Sequence, residues 1–277
     1  MQGKTVVITG ATSGIGEVAA VALARAGARI VMVARDAARA DVTMARLAGQ
    51  GHTVHLADLS RLSEMKRVAA EIAARETRID VLINNAGALF NTREVTEDGL
   101  EKTFATNHLA YFVMTALLLP RLKATPGARI VSTASDAHRG AKLDFTDLQS
   151  ARRYSGFSVY GRSKLMNILF TRELARRLDG SGVTANCLHP GFVATRFGDR
   201  SGGIMSVAIR MAKPFAGLSP EKGAETIIHL ASSPDVANVS GQYFYKRKIV
   251  TPTAEAQDDE SAKRLWDETA KIAGLDI

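Results

Sequence analysis

Tyr160 and Lys164 lie four positions apart in a stretch, Val159 to Arg177, whose apolar residues recur at helical spacing. On a helix that separation puts both side chains on one face. A phenol with a pKa near 10 is a poor acid or base at neutral pH until a nearby positive charge stabilises its phenolate. Lys164 is placed to supply that charge. A Tyr-x3-Lys pair is also common on exposed helices, so its meaning depends on the residues that accompany it.

The first companion is Thr9-Gly10-Ala11-Thr12-Ser13-Gly14-Ile15-Gly16, between an apolar run and a helical pattern. Glycines allow a tight turn and close approach of the backbone to a pyrophosphate, and the helix start offers unpaired N–H groups and partial positive charge. Gly10, Thr12, Ser13, Gly14, Ile15 and Gly16 are the expected phosphate cradle. The spacing is Gly-x3-Gly-x-Gly rather than the Gly-x-Gly-x-x-Gly of many dinucleotide enzymes, but the strand–turn–helix context is present. The run Ile30 to Ala34 delivers Arg35 about 20 residues past the glycines, where an arginine accommodates a ribose 2′-phosphate and an acid holds a free 2′-hydroxyl. Arg35 points to NADP(H). Asp36 follows at once, and a strand ending one residue later would favour NAD(H) instead. Arg39 is a weaker phosphate candidate. Asp58, in Ala57-Asp58-Leu59, is positioned for the adenine amino group or for capping the next helix; Ser60 is an alternative cap that would leave Asp58 free.

The elements that must position these groups alternate. Strands are expected at Thr5–Thr9, Arg29–Ala34, Thr53–Ala57, Val81–Asn84, Arg129–Thr133, Val183–Leu188 and Gln242–Phe244. Most are continuous apolar runs, as in a parallel sheet covered on both faces. Helical patterns separate them: Ile15, Val18, Ala19, Ala22, Leu23 and Ala26 form one stripe that Gly27 ends, and Ser219-Pro220 opens another helix with a cap and an N1 proline. The pattern predicts an α/β fold, a doubly wound (Rossmann) parallel seven-stranded sheet with helices on both faces, in one domain spanning residues 1–277. Two segments break the alternation. Residues 192–218 form a glycine-containing, apolar loop too long to be a plain connection. The tail, 246–277, ends in an amphipathic pattern (Leu265, Trp266, Thr269, Ile272) read as a helix packed on the sheet's edge.

Bulk properties narrow the class. The net charge of +8 is scattered, and Lys246-Arg247-Lys248 is its densest cluster, so no basic face with interleaved aromatics points to nucleic acid. Cys187 is the single cysteine, which rules out an internal disulfide and fits a reducing compartment. No apolar run approaches the roughly 20 residues of a membrane span. The first strand begins within a few residues of Met1, which leaves no room for a leader; the expected location is cytoplasmic. His108, His138 and His189 are not at ligand spacing on one element, and no metal is expected.

Further polar residues fall at the carboxyl ends of the predicted strands, where open α/β sheets bind ligands. They are Asn84-Asn85-Ala86-Gly87, Ser132-Thr133-Ala134-Ser135 and His189-Pro190-Gly191, with Asn107 on the helix between the first two. Together with the glycine turn and Tyr160-x3-Lys164, in this order, they make the chain resemble the short-chain dehydrogenase/reductase family over residues 4 to about 195. Asn167-Ile168-Leu169-Phe170, Leu174 to Leu178 and Ala262 to Asp267 resemble its retinol dehydrogenase and WW-domain oxidoreductase branch.

The resemblance implies a nicotinamide-dependent oxidoreductase. Tyr160 would be the general acid in reduction and the base in oxidation, and Ser135 would hydrogen-bond the substrate oxygen; Ser132 competes for that role. Lys164 would lower the tyrosine pKa and bind the nicotinamide ribose. Asn107 would position a water that links Lys164 to solvent. Asn85, Ala86 and Gly87 would line the cofactor, and Pro190, Gly191, Val193 and Thr195 would hold its nicotinamide end. His138, close after Ser135, is the histidine placed to touch substrate. The 192–218 segment would be a substrate lid, and Ile204, Met205, Val207, Ile209, Met211 and Phe215 suggest a hydrophobic alcohol, aldehyde or ketone. Arg210 and Lys213 make the same segment compatible with peripheral membrane contact. Family members often form dimers or tetramers through the helices bearing Asn107 and Tyr160, where Tyr111, Phe112, Met166 and Phe170 would face either a partner or the core. The alternative is a non-catalytic NADP-binding regulatory protein on the same fold.

Overall fold

The computed structural model describes residues 1–193 and 218–276. Seven short strands lie parallel: β1 (Thr5–Thr9), β2 (Arg29–Ala34), β3 (Thr53–Leu56), β4 (Val81–Asn84), β5 (Arg129–Thr133), β6 (Thr184–Leu188) and β7 (Tyr243–Tyr245). Their order across the sheet is β3-β2-β1-β4-β5-β6-β7. Every residue of β1 and β4 is buried, as expected for strands sandwiched between helices. The order reverses between β1 and β4, so the connections leaving these neighbours diverge and open a crevice at their carboxyl ends.

An eighth strand, β8 (Lys248–Ile249), extends the expected seven and runs antiparallel to β7. It is turned back by Lys246 and Arg247, both with positive φ (47° and 63°). A two-residue turn of that hand usually carries Asn or Gly. Lys-Arg gives no such signal, which is why the hairpin was not read from the sequence.

Helices cover both faces. On one lie α1 (Gly14–Arg25), α2 (Ala37–Met44) and α7 (Pro220–Ser232), burying Ala19, Leu23, Ala40, Ile227 and Leu230 against β1, β2 and β4. On the other lie α3 (Leu62–Arg75), a short α4 (Lys102–Phe104) that passes through a π-helical turn (Ala105–Leu109) into α5 (Ala110–Lys123), then α6 (Gly156–Arg177) and α8 (Asp259–Ala273). Their ends follow local chemistry. Ser219 caps α7, accepting from the Lys222 amide, with Pro220 in the first turn. The Glu101 carboxylate accepts from the amides of Thr103 and Phe104 at the start of α4. At α3 neither Asp58 nor Ser60 is the cap; Asp98, from a distant loop, accepts from the Leu62 amide.

The C-terminal helix departs from its expected place. It packs on α6 and α5, not on the sheet's edge. The Trp266 ring stacks on Phe170 (centroids 5.8 Å apart) and meets Phe112 edge-on at 4.9 Å, while the Arg177 guanidinium lies over the ring at 4.5 Å. Tyr111, Phe112, Met166 and Phe170 are consequently buried within the chain itself.

Candidate active site

The glycine turn joins β1 to α1 at the crevice. Gly10 has φ +70°, and a β-carbon there would come within 2.8 Å of the Ala86 Cα, so the turn and the segment after β4 approach as closely as backbones can. Thr9 and Asn85 stitch them together. Thr9 Oγ1 accepts from the amides of Asn85 and Ala86, and Asn85 Nδ2 donates to the carbonyls of Thr9 and Gly10. Asn85 thus shapes the cradle. Ser13 precedes α1 in extended backbone and makes no side-chain cap, which leaves the amides of the first helical turn, at Gly14, Ile15 and Gly16, directed at the crevice mouth beside Thr12. This is an anion-binding arrangement, and a pyrophosphate fits it. The Ile15 side chain turns away and packs with Val193 against Gly223 of α7.

At the adenine end, β2 stops at Ala34 and Arg35 is the first residue beyond it, exposed. Asp36 is the N-cap of α2: its carboxylate accepts from the Arg39 amide and pairs with the Arg39 side chain at 3.6 Å. The Asp36 carboxylate is therefore engaged in capping α2, and Arg35 is the residue that directly follows the strand end. Asp58 is half-buried and not wholly free, because its Oδ1 accepts from both the amide and the hydroxyl of Ser60. Leu59 is buried in the core, leaving only its backbone near the crevice.

Tyr160 and Lys164 project from α6 into one buried pocket, 8% and 2% exposed. The Tyr160 hydroxyl shares a hydrogen bond with Ser135, and burial pushes the phenol well above the usual tyrosine range. Lys164 Nζ lies 5.4 Å from the Tyr160 ring centre and 5.7 Å from that of Tyr111, and it donates to the Thr133 carbonyl at 3.1 Å. Burial lowers its pKa to about 7. Gly87 is exposed above them; a β-carbon there would sit 3.3 Å from Asn107 Oδ1 and 3.4 Å from Lys164 Nζ, filling the gap a ligand would need.

The two serines separate. Ser135 opens a short 3-10 turn (Asp136–His138), with its Oγ accepting from the Ala137 amide and facing Tyr160. Ser132 lies within β5, level with Asn84 and Cys187 on its neighbours, and its hydroxyl is buried without a hydrogen-bond partner among the described residues. His138 is not open to substrate. It is fully buried against Tyr243, its Nδ1 bonds the Ser135 carbonyl at 2.7 Å, and its Nε2 accepts from the Thr253 amide. The ring instead holds the turn that presents Ser135.

Asn107 sits in the π-helical turn, a distortion that often marks functional positions. Its side chain is occupied by protein: Oδ1 accepts from the Ala88 amide, and Nδ2 donates to the Ala88 carbonyl and to Ser163 Oγ. Its own carbonyl accepts from Asn167 Nδ2 at 2.9 Å. The side chain is therefore a clamp on the segment after β4. Asn167, Thr133, Thr9 and Tyr111 also support the pocket, a role that the motifs containing them did not assign to them in the sequence.

Beyond β6, Pro190 and Gly191 lie at the crevice beside β7, with the His189 ring stacked on Tyr245 at 4.1 Å and its Nδ1 accepting from the Gly191 amide. Val193 pairs with Leu218, which brings the two ends of the intervening segment together. Thr195, and the expected apolar lid residues from Ile204 to Phe215, lie outside the described residues. Among the described residues, no cluster of three or more potential ligands could hold a metal.

Comparison with known proteins supplies the family and its fold. A profile described as short chain dehydrogenase matches residues 4–202. The chain is similar to human retinol dehydrogenase 13, 41% identical over 99% of this chain and 86% of that protein. A solved Mycobacterium paratuberculosis protein of unassigned function superposes with a TM-score of 0.80 at 33% identity, covering 99% of this chain and 95% of the other. A Burkholderia cenocepacia short chain dehydrogenase solved in complex with NADP superposes at 0.70, 27% identical over 88% of this chain and 96% of that one.

Proposed function

The chain belongs to the short chain dehydrogenase family and is an oxidoreductase of alcohol or carbonyl groups, and on that premise we propose that it depends on NADP(H), takes a hydrophobic substrate and uses Tyr160 as its general acid and base. The observation that carries the reading is the Tyr160–Ser135 hydrogen bond with Lys164 buried beside it. Nicotinamide, when bound, supplies or accepts the hydride.

The chain's own groups handle the proton and the charge. In reduction, the Tyr160 phenol is protonated, as burial dictates, and gives its proton to the substrate oxygen. Ser135 donates a hydrogen bond to that oxygen as charge develops. The phenolate left behind is stabilised by the Lys164 ammonium. Taking the 5.4 Å from Nζ to the ring centre as the charge separation, with an effective dielectric of about 20, the attraction is roughly 3 kcal/mol, about two pKa units. In oxidation the same phenolate accepts the alcohol proton. Asn107 and Asn85 hold the backbone that lines the pocket and the cradle, and Gly10, Thr12, Ser13, Gly14, Ile15, Gly16, Asp58, Leu59, Ala86, Gly87, Pro190, Gly191 and Val193 would hold the cofactor.

NADP(H) over NAD(H) is supported by Arg35, exposed at the end of β2 and without an ion pair among the described residues, while Asp36 caps α2, and by the NADP complex of the Burkholderia relative. A hydrophobic substrate is supported by the likeness to a retinol dehydrogenase and by Phe192, exposed directly after Pro190 and Gly191. Residues 1–277 act as one unit. A cytoplasmic location is supported by the unpaired, buried Cys187, which requires no oxidising compartment. The test is a panel of long-chain, terpenoid and aromatic aldehydes, ketones and alcohols with each nucleotide. NADPH is expected to be oxidised with at least one hydrophobic aldehyde or ketone and to outperform NADH, and Arg35→Asp is expected to reverse the preference. Preference for NADH in the unaltered protein refutes the assignment of Arg35.

A further inference from the structure

Lys164 is held by more than its own helix. The Thr133 carbonyl that accepts from its Nζ also receives Asn167 Nδ2 at 3.4 Å and the Tyr111 hydroxyl at 3.4 Å. Asn167 is wholly buried, one turn along α6 from Lys164, and its Nδ2 donates to the Asn107 carbonyl as well. With the amide nitrogen facing two carbonyls, the orientation is determined, since the reverse would set three oxygens against one another. Asn167 Oδ1 therefore points at His108 Nδ1, 3.4 Å away, and His108 must be the donor.

His108 is 1% exposed, packed between Phe104 and Phe170, and burial lowers its pKa to about 4, so the ring is neutral. With its proton on Nδ1, the Nε2 atom is an acceptor. The partner there is Thr269 Oγ1, 3.0 Å away and wholly buried on α8. The Thr269 hydroxyl must donate. Every link has one allowed direction: Thr269 to His108, His108 to Asn167, Asn167 to the carbonyl that anchors Lys164.

We propose that Thr269, His108 and Asn167 are positioning residues for Lys164, and that through this one-way chain of hydrogen bonds the C-terminal helix is a working part of the active site. The helix is held there by Trp266, whose ring packs with Phe112, Phe170 and the Arg177 guanidinium, and by Arg172 and Arg176 on Asp259. The role of Lys164 rests on the function proposed above; the direction of the chain does not.

The experiment uses the full chain labelled with 15N-histidine and 13C-lysine, without nucleotide. Two-bond nitrogen–proton correlations should show His108 as the neutral Nδ1–H tautomer from pH 5.5 to 8. Thr269→Val, which keeps the shape and removes the donor, should make the Nδ1–H form lose its dominance. It should also move the Lys164 Cε resonance, identified by its loss in Lys164→Met. Thr269→Ser should restore both signals, and Asn167→Leu should move the Lys164 signal further. In turnover of a hydrophobic aldehyde with NADPH, Asn167→Leu should lower kcat about tenfold and Thr269→Val about threefold, with recovery in Thr269→Ser. An Nε2–H tautomer, a ring that titrates within that pH range, or a Lys164 resonance unmoved in Asn167→Leu overturns the proposal. If the unaltered protein turns over no substrate, the proposed function fails, while the two resonance tests still decide the chain.

Discussion

Burial works in opposite directions on the two central residues, raising the Tyr160 phenol and lowering the Lys164 amine from 10.5 to about 7. Between about pH 7 and the unfolded value of 10.5, the unfolded chain binds the proton that folded Lys164 has released. Stability attributable to this residue therefore rises with pH across that window, and the full cost of a buried ammonium applies below it. Lys164→Met should raise the melting temperature most at or below about pH 7, with the gain shrinking as pH climbs toward 10. A gain independent of pH in thermal melts would contradict the assignment. The serines offer a second test at this scale. Ser135→Ala should cost roughly 10²–10³-fold in kcat, the usual effect of losing one donor to a developing oxyanion. Ser132→Ala removes a buried hydroxyl that has no hydrogen-bond partner among the described residues, and its kcat should stay within a few-fold of the unaltered protein. Much of this was legible in the sequence, because Tyr160, Lys164 and Ser135 are chemically distinctive at fixed spacing. His138 was misread for a physical reason: closeness in sequence to Ser135 says nothing of which way a ring turns, and here it turns toward Tyr243.

At the level of elements, the glycine turn depends on close approach of two backbones. Gly10→Ala would put a methyl group against Ala86 at a positive φ, so a loss of about 1–3 kcal/mol is expected from backbone strain alone. NADPH binding, followed by nucleotide fluorescence, should weaken sharply; unchanged affinity would mean that the turn is not the cradle. The parallel strands could be read from the chain because each is a buried apolar run bounded by turn residues. Two features could not. The β7–β8 hairpin turns on Lys246-Arg247, residues that carry no turn signal, and the π-helical turn at Asn107 has no periodicity that distinguishes it from ordinary helix. The C-terminal helix was legible as an amphipathic pattern, but its docking face was not, because an apolar stripe records that a helix is buried and not against what.

Across the whole molecule, that docking face has consequences. Tyr111, Phe112, Met166 and Phe170 are 1–2% exposed under the cover of α8 and neighbouring core. A homodimer built on those residues would have to displace α8, and sedimentation equilibrium should find no association through this face. Trp266→Ala should cost about 3–5 kcal/mol, the range for deleting a buried aromatic, and should promote self-association as Phe112 and Phe170 lose their cover. A Trp266→Ala protein that melts like its parent would show that α8 is not an integral layer. The buried polar network running from Thr269 to Lys164 makes the same helix part of the support for the catalytic pocket, so damage to the tail is expected to appear in turnover as well as in stability.

Proton transfer by Tyr160 is the claim to which the other assignments lead, and Tyr160→Phe tests it most directly. Turnover of a hydrophobic aldehyde with NADPH and the dissociation constant for NADPH would be measured side by side in both proteins. The account predicts nearly unchanged nucleotide affinity and a kcat lowered by roughly 10²–10⁴-fold, the scale of a lost general acid. A variant that binds NADPH equally well and keeps its rate within a few-fold of the parent would contradict it.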